Sequence, residues 1–224
     1  MGVTAKDPGG SDDFEPVPQG AWQAVCIAVI DLGTQVNPLF NKEVYKVLVM
    51  WEFGEHRINI AKEGEPENEM PMVISKMYRL SLHVKADLRK DLEAWRQKAF
   101  SEDELQGFDL SKLLKANCNI QVVHNKKQTR DGERTYANVN AIMGLMKGQA
   151  KLEPEHDPIC WEIDKGEPIP DSIPDWIANM IRMSPEYRMM HPDQGAYQGQ
   201  QPAEPDSFAQ ADDPGYNPDD DIPF

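Results

Sequence analysis

A mainly β chain with one α-helical insert is the fold class this sequence predicts, on three observations. Apolar, β-branched runs of strand length recur on both sides of a central segment. Inside that segment the hydrophobic period lengthens from two residues to the helical three or four. Both ends of the chain are instead rich in Pro, Gly, Asp and Gln, a composition that buries too little apolar surface to offset chain entropy.

Residues 1–20, MGVTAKDPGGSDDFEPVPQG, read as a flexible N-terminal arm. WQAVCIAVIDLG (22–33) is a buried strand closing on a glycine, and VYKVLVMWEF (44–53) is a second, with Tyr45, Val47, Val49, Trp51 and Phe53 on one face. A short further piece is expected around 56–60, then a charged, Gly/Pro-bearing loop before the strand MVISKMYRLSL (72–82). In VKADLRKDLEAWRQKAF the residues Val84, Leu88, Leu92, Trp95 and Ala99 fall at helical spacing. Ser101 with Glu104 forms a capping-box pattern that opens a second short helix, and Asp109 is placed to cap a third around 110–114. The strands NCNIQVVHNKK (117–127) and RTYANVNAIM (134–143) flank the polar turn QTRDGE.

Three strands, a helical insert and two strands is the order of an OB-fold, a five-stranded Greek-key barrel, here with its helices between strands 3 and 4. It is assigned to 21–151. Residues 152–188 read as a small appendage packed on the barrel: Trp161 and Ile163 supply an edge strand, and 174–183 a short helix with Trp176, Ile177, Met180 and Ile181 on its apolar side. Residues 189–224 read as a disordered acidic tail, which as a flexible coil would span roughly 30 Å root-mean-square.

The formal charge of −15 over 224 residues argues at first against a nucleic-acid partner. Its distribution argues the other way. The eight acids from Asp193 to Asp221 stand in a tail without Lys or Arg, whereas residues 75–151 hold 15 basic against 9 acidic side chains. Three cysteines in or near apolar segments, Cys26, Cys118 and Cys160, suit a reduced compartment better than a disulfide framework. The segment at the start of the sequence has no signal-peptide pattern and no apolar run reaches membrane-spanning length, so a soluble, intracellular protein is expected.

Catalytic chemistry finds little purchase. The cysteines and His124 share no ligand spacing, so no metal and no cofactor is expected. Glu52, Asp87 and Asp91 are the carboxylates available to a nuclease, but they sit in an ordinary strand and on an ordinary helix face. With neither a Gly-rich phosphate loop nor a nucleophile elbow in sight, the chain reads as a non-enzyme. A single-stranded nucleic acid asks for less: cations for its phosphates and flat rings for its bases. In an OB-fold the face of strands 2 and 3 and the loops joining strands 1–2 and 4–5 provide them. Mapped here, these are Phe40 and Lys42 in the first loop, Lys46, Lys76, Tyr78 and Arg79 between, and Lys126, Lys127, Arg130, Arg134 and Tyr136 in and beside the second. The competing reading makes Tyr45, Trp51 and Tyr78 core or half-buried strand residues and the lysines a solvated turn.

The strings VIDLGTQ, VLVMWEF, SLHVKADLRKDLEAWR, FSEDELQGFDLSKLL and ANVNAIMGLMKG, in this order, resemble the OB-fold single-stranded DNA-binding proteins of tailed bacteriophages over about 21–151, with a weaker continuation through IPDWI and SPEY. The ending DDDIPF is similar to the tip of bacterial single-stranded DNA-binding proteins, which docks into basic, apolar-floored pockets on replication, recombination and repair proteins. Asp219, Asp220, Asp221, Ile222, Pro223 and Phe224 match it position by position. The helical insert and the segment after Lys151 depart from the bacterial protein, so its tetramer is not carried over. The resemblance implies non-sequence-specific binding and protection of single-stranded DNA in phage DNA replication, recombination or repair, in the bacterial host cytoplasm, with replication or repair proteins recruited by the tip. It leaves room for a homo-oligomer or a cooperative array on DNA. The alternative is an acidic OB-fold adaptor that acts on host replication proteins without binding DNA.

Overall fold

The structure is a computed structural model and describes residues 15–37, 42–61, 66–129 and 132–192. The readings made for Phe40, Arg130, the tip residues Asp219 to Phe224, most of the arm and the tail from Asp193 lie outside those residues.

Among the described residues, six strands form one sheet: β1 (Gly20–Asn37), β2 (Lys42–Asn59), β3 (Glu69–Arg79), β4 (Asn117–Thr129), β5 (Gly132–Met143) and β6 (Ile159–Trp161). The path runs β3-β2-β1-β4-β5 with antiparallel neighbours, and β6 joins β1 in parallel. The sheet curls until Cα atoms of its two end strands, β3 and β5, come within 8 Å of each other. Helices α1 (Asp87–Arg96) and α2 (Glu102–Gln106) and a 3-10 turn at Leu110–Leu113 separate β3 from β4; α3 (Asp175–Met183) and α4 (Pro185–Met190) follow β6.

Strand β1 is the centre of the design. Register shifts between Cys26 and Ala28 and between Asp31 and Gly33 bend it, as extra residues in one strand of an antiparallel pair do. One edge pairs with β2 from Ala24 to Asn37. The other passes from β4 over Gly20–Val25, through hydrogen bonds of Cys26 with Lys115 and Ala116, to β6 over Ala28–Ile30. From Ala24 to Ile30 its ladder groups are thus paired on both sides, which leaves little open edge there for another chain to extend.

Both faces of the sheet are apolar because both are covered. On the inner face Val47, Val49, Trp51 and Phe53 of β2, Ile120 and Val122 of β4 and Ile142 of β5 pack against Leu88, Leu92 and Trp95 of α1. On the outer face Ile30, Leu32, Leu48 and Met50 pack against Trp161, Ile163, Ile177 and Ile181. The alternation in VYKVLVMWEF therefore separates two cores rather than core from solvent. Each such side chain contributes about 1.5–3 kcal/mol when fully buried.

Polar groups fasten the C-terminal segment to that outer face. Glu52, 3% exposed, accepts hydrogen bonds from the amides of Glu155 (2.6 Å) and His156 (3.0 Å) and from His156 Nδ1 (2.6 Å). Asp31 accepts from the Gly33 amide, the Tyr45 hydroxyl and the Ile163 amide. Glu186 accepts from the Thr34 amide (2.9 Å) and hydroxyl (2.5 Å), seating α4 on the bend of β1. The approach there is close: Gly33 has φ +64°, and a Cβ on it would lie 2.7 Å from Ser184 Cβ and 2.8 Å from Ile163 Cδ1. Only glycine meets both demands. Farther along, Asn117, Asn119, Gln23 and Gln149 exchange amide hydrogen bonds that strap residues 144–152 across β1 and β4.

The structure departs from the sequence reading in four places. Val17 is buried, Trp22 Nε1 donates to the Pro18 carbonyl and His124 Nε2 meets the Val17 carbonyl, so the end of the expected arm is packed into the fold. The piece expected at 56–60 is the far end of β2, continuous across a register shift between Glu52 and Arg57. Strand β3 starts and stops three residues early, because β2 extends far enough to pair Glu69 with Asn59. Ile163 begins a 3-10 turn instead of extending β6, and α4, announced by Ser184 as N-cap and Pro185 after it, stands outside the readings made above. The caps expected at Ser101 and Asp109 are present.

Burial alone would raise the Glu186 carboxyl, but the Thr34 hydroxyl and amide outweigh it and hold the group below the usual glutamate range. Its stabilisation is therefore present above the unfolded-state value and is lost as pH falls through the lower folded value. Glu186→Gln should lower stability at neutral pH and flatten its decline on acidification, read as urea-unfolding free energy from pH 7 to pH 3.

Candidate nucleic-acid interface

The residues expected to form one binding face fall into three groups. Strand pairing places Lys46 of β2 opposite Arg79 of β3, and both belong to the outer face, since Val47 and Tyr78 beside them point inward. Arg79 is exposed and Lys46 half-buried. Lys42 lies at the base of the β1–β2 hairpin, opposite Asn37. At the far end of the sheet Lys127 of β4 stands opposite Arg134 of β5, again on the outer face. Two pairs of like charge are thus directly opposed across antiparallel strands.

Lys76 and Tyr78 belong to the other side. Lys76 Nζ and the Tyr78 hydroxyl both reach Asp91 Oδ2 of α1, each at 2.8 Å, and the ammonium lies 5.2 Å from the Tyr78 ring centroid. Tyr78 is 4% exposed, and burial together with the Asp91 carboxylate raises its hydroxyl well above the ordinary range. As a stacking platform Tyr78 is corrected by this structure: its ring lies in the inner core and its hydroxyl anchors α1. Tyr136 is also covered, at 6% exposure, though it stands on the outer face opposite Asn125. Of the two tyrosines expected to stack, neither presents a ring to solvent here, because each supplies more stability as apolar area than an exposed ring would.

Lys126 is exposed and pairs with Glu133 at 2.7 Å, which raises the ammonium's pKa. Such an exposed pair is worth little and is easily exchanged for another anion. The outward positions of the β4–β5 ribbon carry amides: Gln121, Asn125 and Asn140 are exposed, and Asn138 is half-buried. Asn140 donates to Gln121 at 2.9 Å. The sequence reading missed this strip, although amides at alternate positions 117, 119, 121 and 125 were a legible period-two signal.

The carboxylates weighed for a nuclease are occupied structurally: Glu52 by residues 155 and 156, Asp91 by Lys76 and Tyr78, Asp87 by Lys90. Among the described residues, no three His, Cys, Asp or Glu side chains converge on a point where a metal ion would sit. Burial pushes the Cys26 thiol up to about 12 and raises those of Cys118 and Cys160 as well, which makes all three poor nucleophiles. No helix among the described residues is long and apolar enough to cross a membrane. No family model matches the chain, and no curated protein matches it significantly.

Tyr78→Phe tests the hydroxyl as the anchor of α1. Loss of the bond to Asp91 should cost about 1–2 kcal/mol in urea unfolding, with affinity for a single-stranded oligothymidylate unchanged within about twofold by fluorescence anisotropy.

Proposed function

We propose that this protein binds single-stranded DNA without strong sequence preference and recruits partner proteins through its C-terminal tip. The observation that carries the reading is two pairs of directly opposed cations, Lys46 with Arg79 and Lys127 with Arg134, in a chain whose net charge is −15. Cations set side by side on neighbouring strands suit the evenly spaced charges of a phosphate backbone. The strand path, the approach of β3 to β5 and the position of α1 beneath the inner core support reading the sheet as a partly open barrel of the OB type. A barrel of that type displays its outer surface to a flexible strand while strand side chains fill its interior and the helix packs against them.

Beyond the described residues, the acidic run from Asp219 to Asp221 and the apolar Ile222, Pro223 and Phe224 suit a pocket with a basic rim and an apolar floor. Binding and recruitment are then separable activities of one chain, the first a matter of cations on the sheet and the second of the last six residues.

Lys127→Ala with Arg134→Ala should weaken binding to an oligothymidylate and reduce the slope of log affinity against log salt by about 1.4, at about 0.7 for each phosphate no longer neutralised. An unchanged slope, or a parent chain that binds single strands no better than duplex, would count against the reading and favour the adaptor alternative. Removal of Phe224 should abolish capture of host replication proteins in a pull-down while leaving oligothymidylate affinity intact; joint loss of both would show the tip to be misassigned.

A further inference from the structure

Strands β4 and β5 hold three cations, Lys126, Lys127 and Arg134, and a single carboxylate, Glu133. That carboxylate sits on one of the cations: Glu133 Oε1 lies 2.7 Å from Lys126 Nζ. Register places Lys126 opposite Thr135 and Glu133 opposite Gln128, so the two meet diagonally across the strands. Both belong to the face that carries Val122, Ala137 and Val139 nearer the barrel, and period-two alternation turns Lys127 and Arg134 to the other face.

The fold gains little from this contact. A continuous run of strand pairs, from Val122 with Val139 to Thr129 with Gly132, already joins the two strands. Side chains that are 65% and 56% exposed add little to it, because water and salt screen their attraction. For a phosphate the same contact matters more. The Glu133 carboxylate offers Lys126 what a phosphate would offer, an anionic oxygen at hydrogen-bond distance. It raises the pKa of the ammonium, as an anion seated on a lysine does. A phosphate that approaches Lys126 must displace that carboxylate and then lie beside its unpaired charge.

Resting on the single-strand reading above, we infer that Glu133 sets the affinity of this protein for DNA: it occupies Lys126 in the free chain and yields it to a phosphate only at the loss of the ion pair. Lys126 is then a phosphate contact and Glu133 its internal competitor. The exchange weakens binding at low salt. It also makes binding less dependent on salt, since a displaced carboxylate takes up a cation as the phosphate releases one.

The test is a double-mutant cycle on the full chain, comparing the parent, Glu133→Gln, Lys126→Gln and the two combined by anisotropy of a fluorescent oligothymidylate across a range of salt. Glu133→Gln should bind about fivefold tighter at low salt and steepen the slope of log affinity against log salt by about 0.7, with thermal unfolding unchanged. In the Lys126→Gln background the same substitution should gain less than about twofold, because the cation it would release is gone. A Glu133→Gln chain that binds within about twofold of the parent, or that gains equally in both backgrounds, overturns the assignment and leaves single-strand binding standing. Weaker binding together with a lower unfolding temperature overturns it too, since the pair would then be structural. A parent that does not bind the oligothymidylate overturns both readings.

Discussion

Strand β1 is apolar on both faces, and neither face can be left to water. Ile30 and Leu32 look outward as surely as Ala24, Cys26 and Val29 look inward, and all are buried. A curled sheet with an internal core satisfies only one side. The other side obliges the chain to return after β5, lay residues 144–158 across the strands and place β6, α3 and α4 over β1 and β2. The C-terminal segment is thus required by the composition of the first strand.

How the return is held follows from where water is excluded. The turn at 155–156 leaves backbone amides over the sheet that need acceptors, and Glu52 projects from the outer face of β2, next to Met50, to supply them. Asp31 and Glu186 do the same for Ile163 and Thr34. A buried acceptor that satisfies several donors fixes position more sharply than apolar contact, because each donor left unpaired would cost about 1–3 kcal/mol. Acids that look from the sequence like surplus charge are therefore fasteners. Arg57, gripping Glu155 at 2.6 and 3.0 Å from the far end of β2, reinforces the same turn from the exposed side.

The same layering shapes the surface left for a partner. With one half of the outer sheet closed by α3 and α4, the cations of β2 and β3 sit at an edge, while those of β4 and β5 stand beside the exposed amides Gln121 and Asn125. Strand order explains why linear proximity misled the reading of Lys76, Tyr78 and Arg79. Neighbours along a strand point to opposite faces, so the first two turn towards α1 and Asp91 and the third turns out.

Much of the fold was legible in advance. Strand length, period and the capping residues Ser101 and Asp109 are local matters, governed by backbone preferences and side-chain hydrogen bonds within a few residues. The amphipathic stripe of α1 and the cation pairs' residue types were open to the same reading. Which face of β2 would meet α1 and which would meet α3 was not, since both are apolar and periodicity says only that they differ. Nor could any window of sequence show that Gly33 must admit Ser184, or that Glu52 would accept the amides of a turn a hundred residues away. The elements could be read from the chain because they answer to forces acting within a few residues. Which polar groups became fasteners and which stayed open was settled only by folding, because it depends on meetings between residues far apart in the chain.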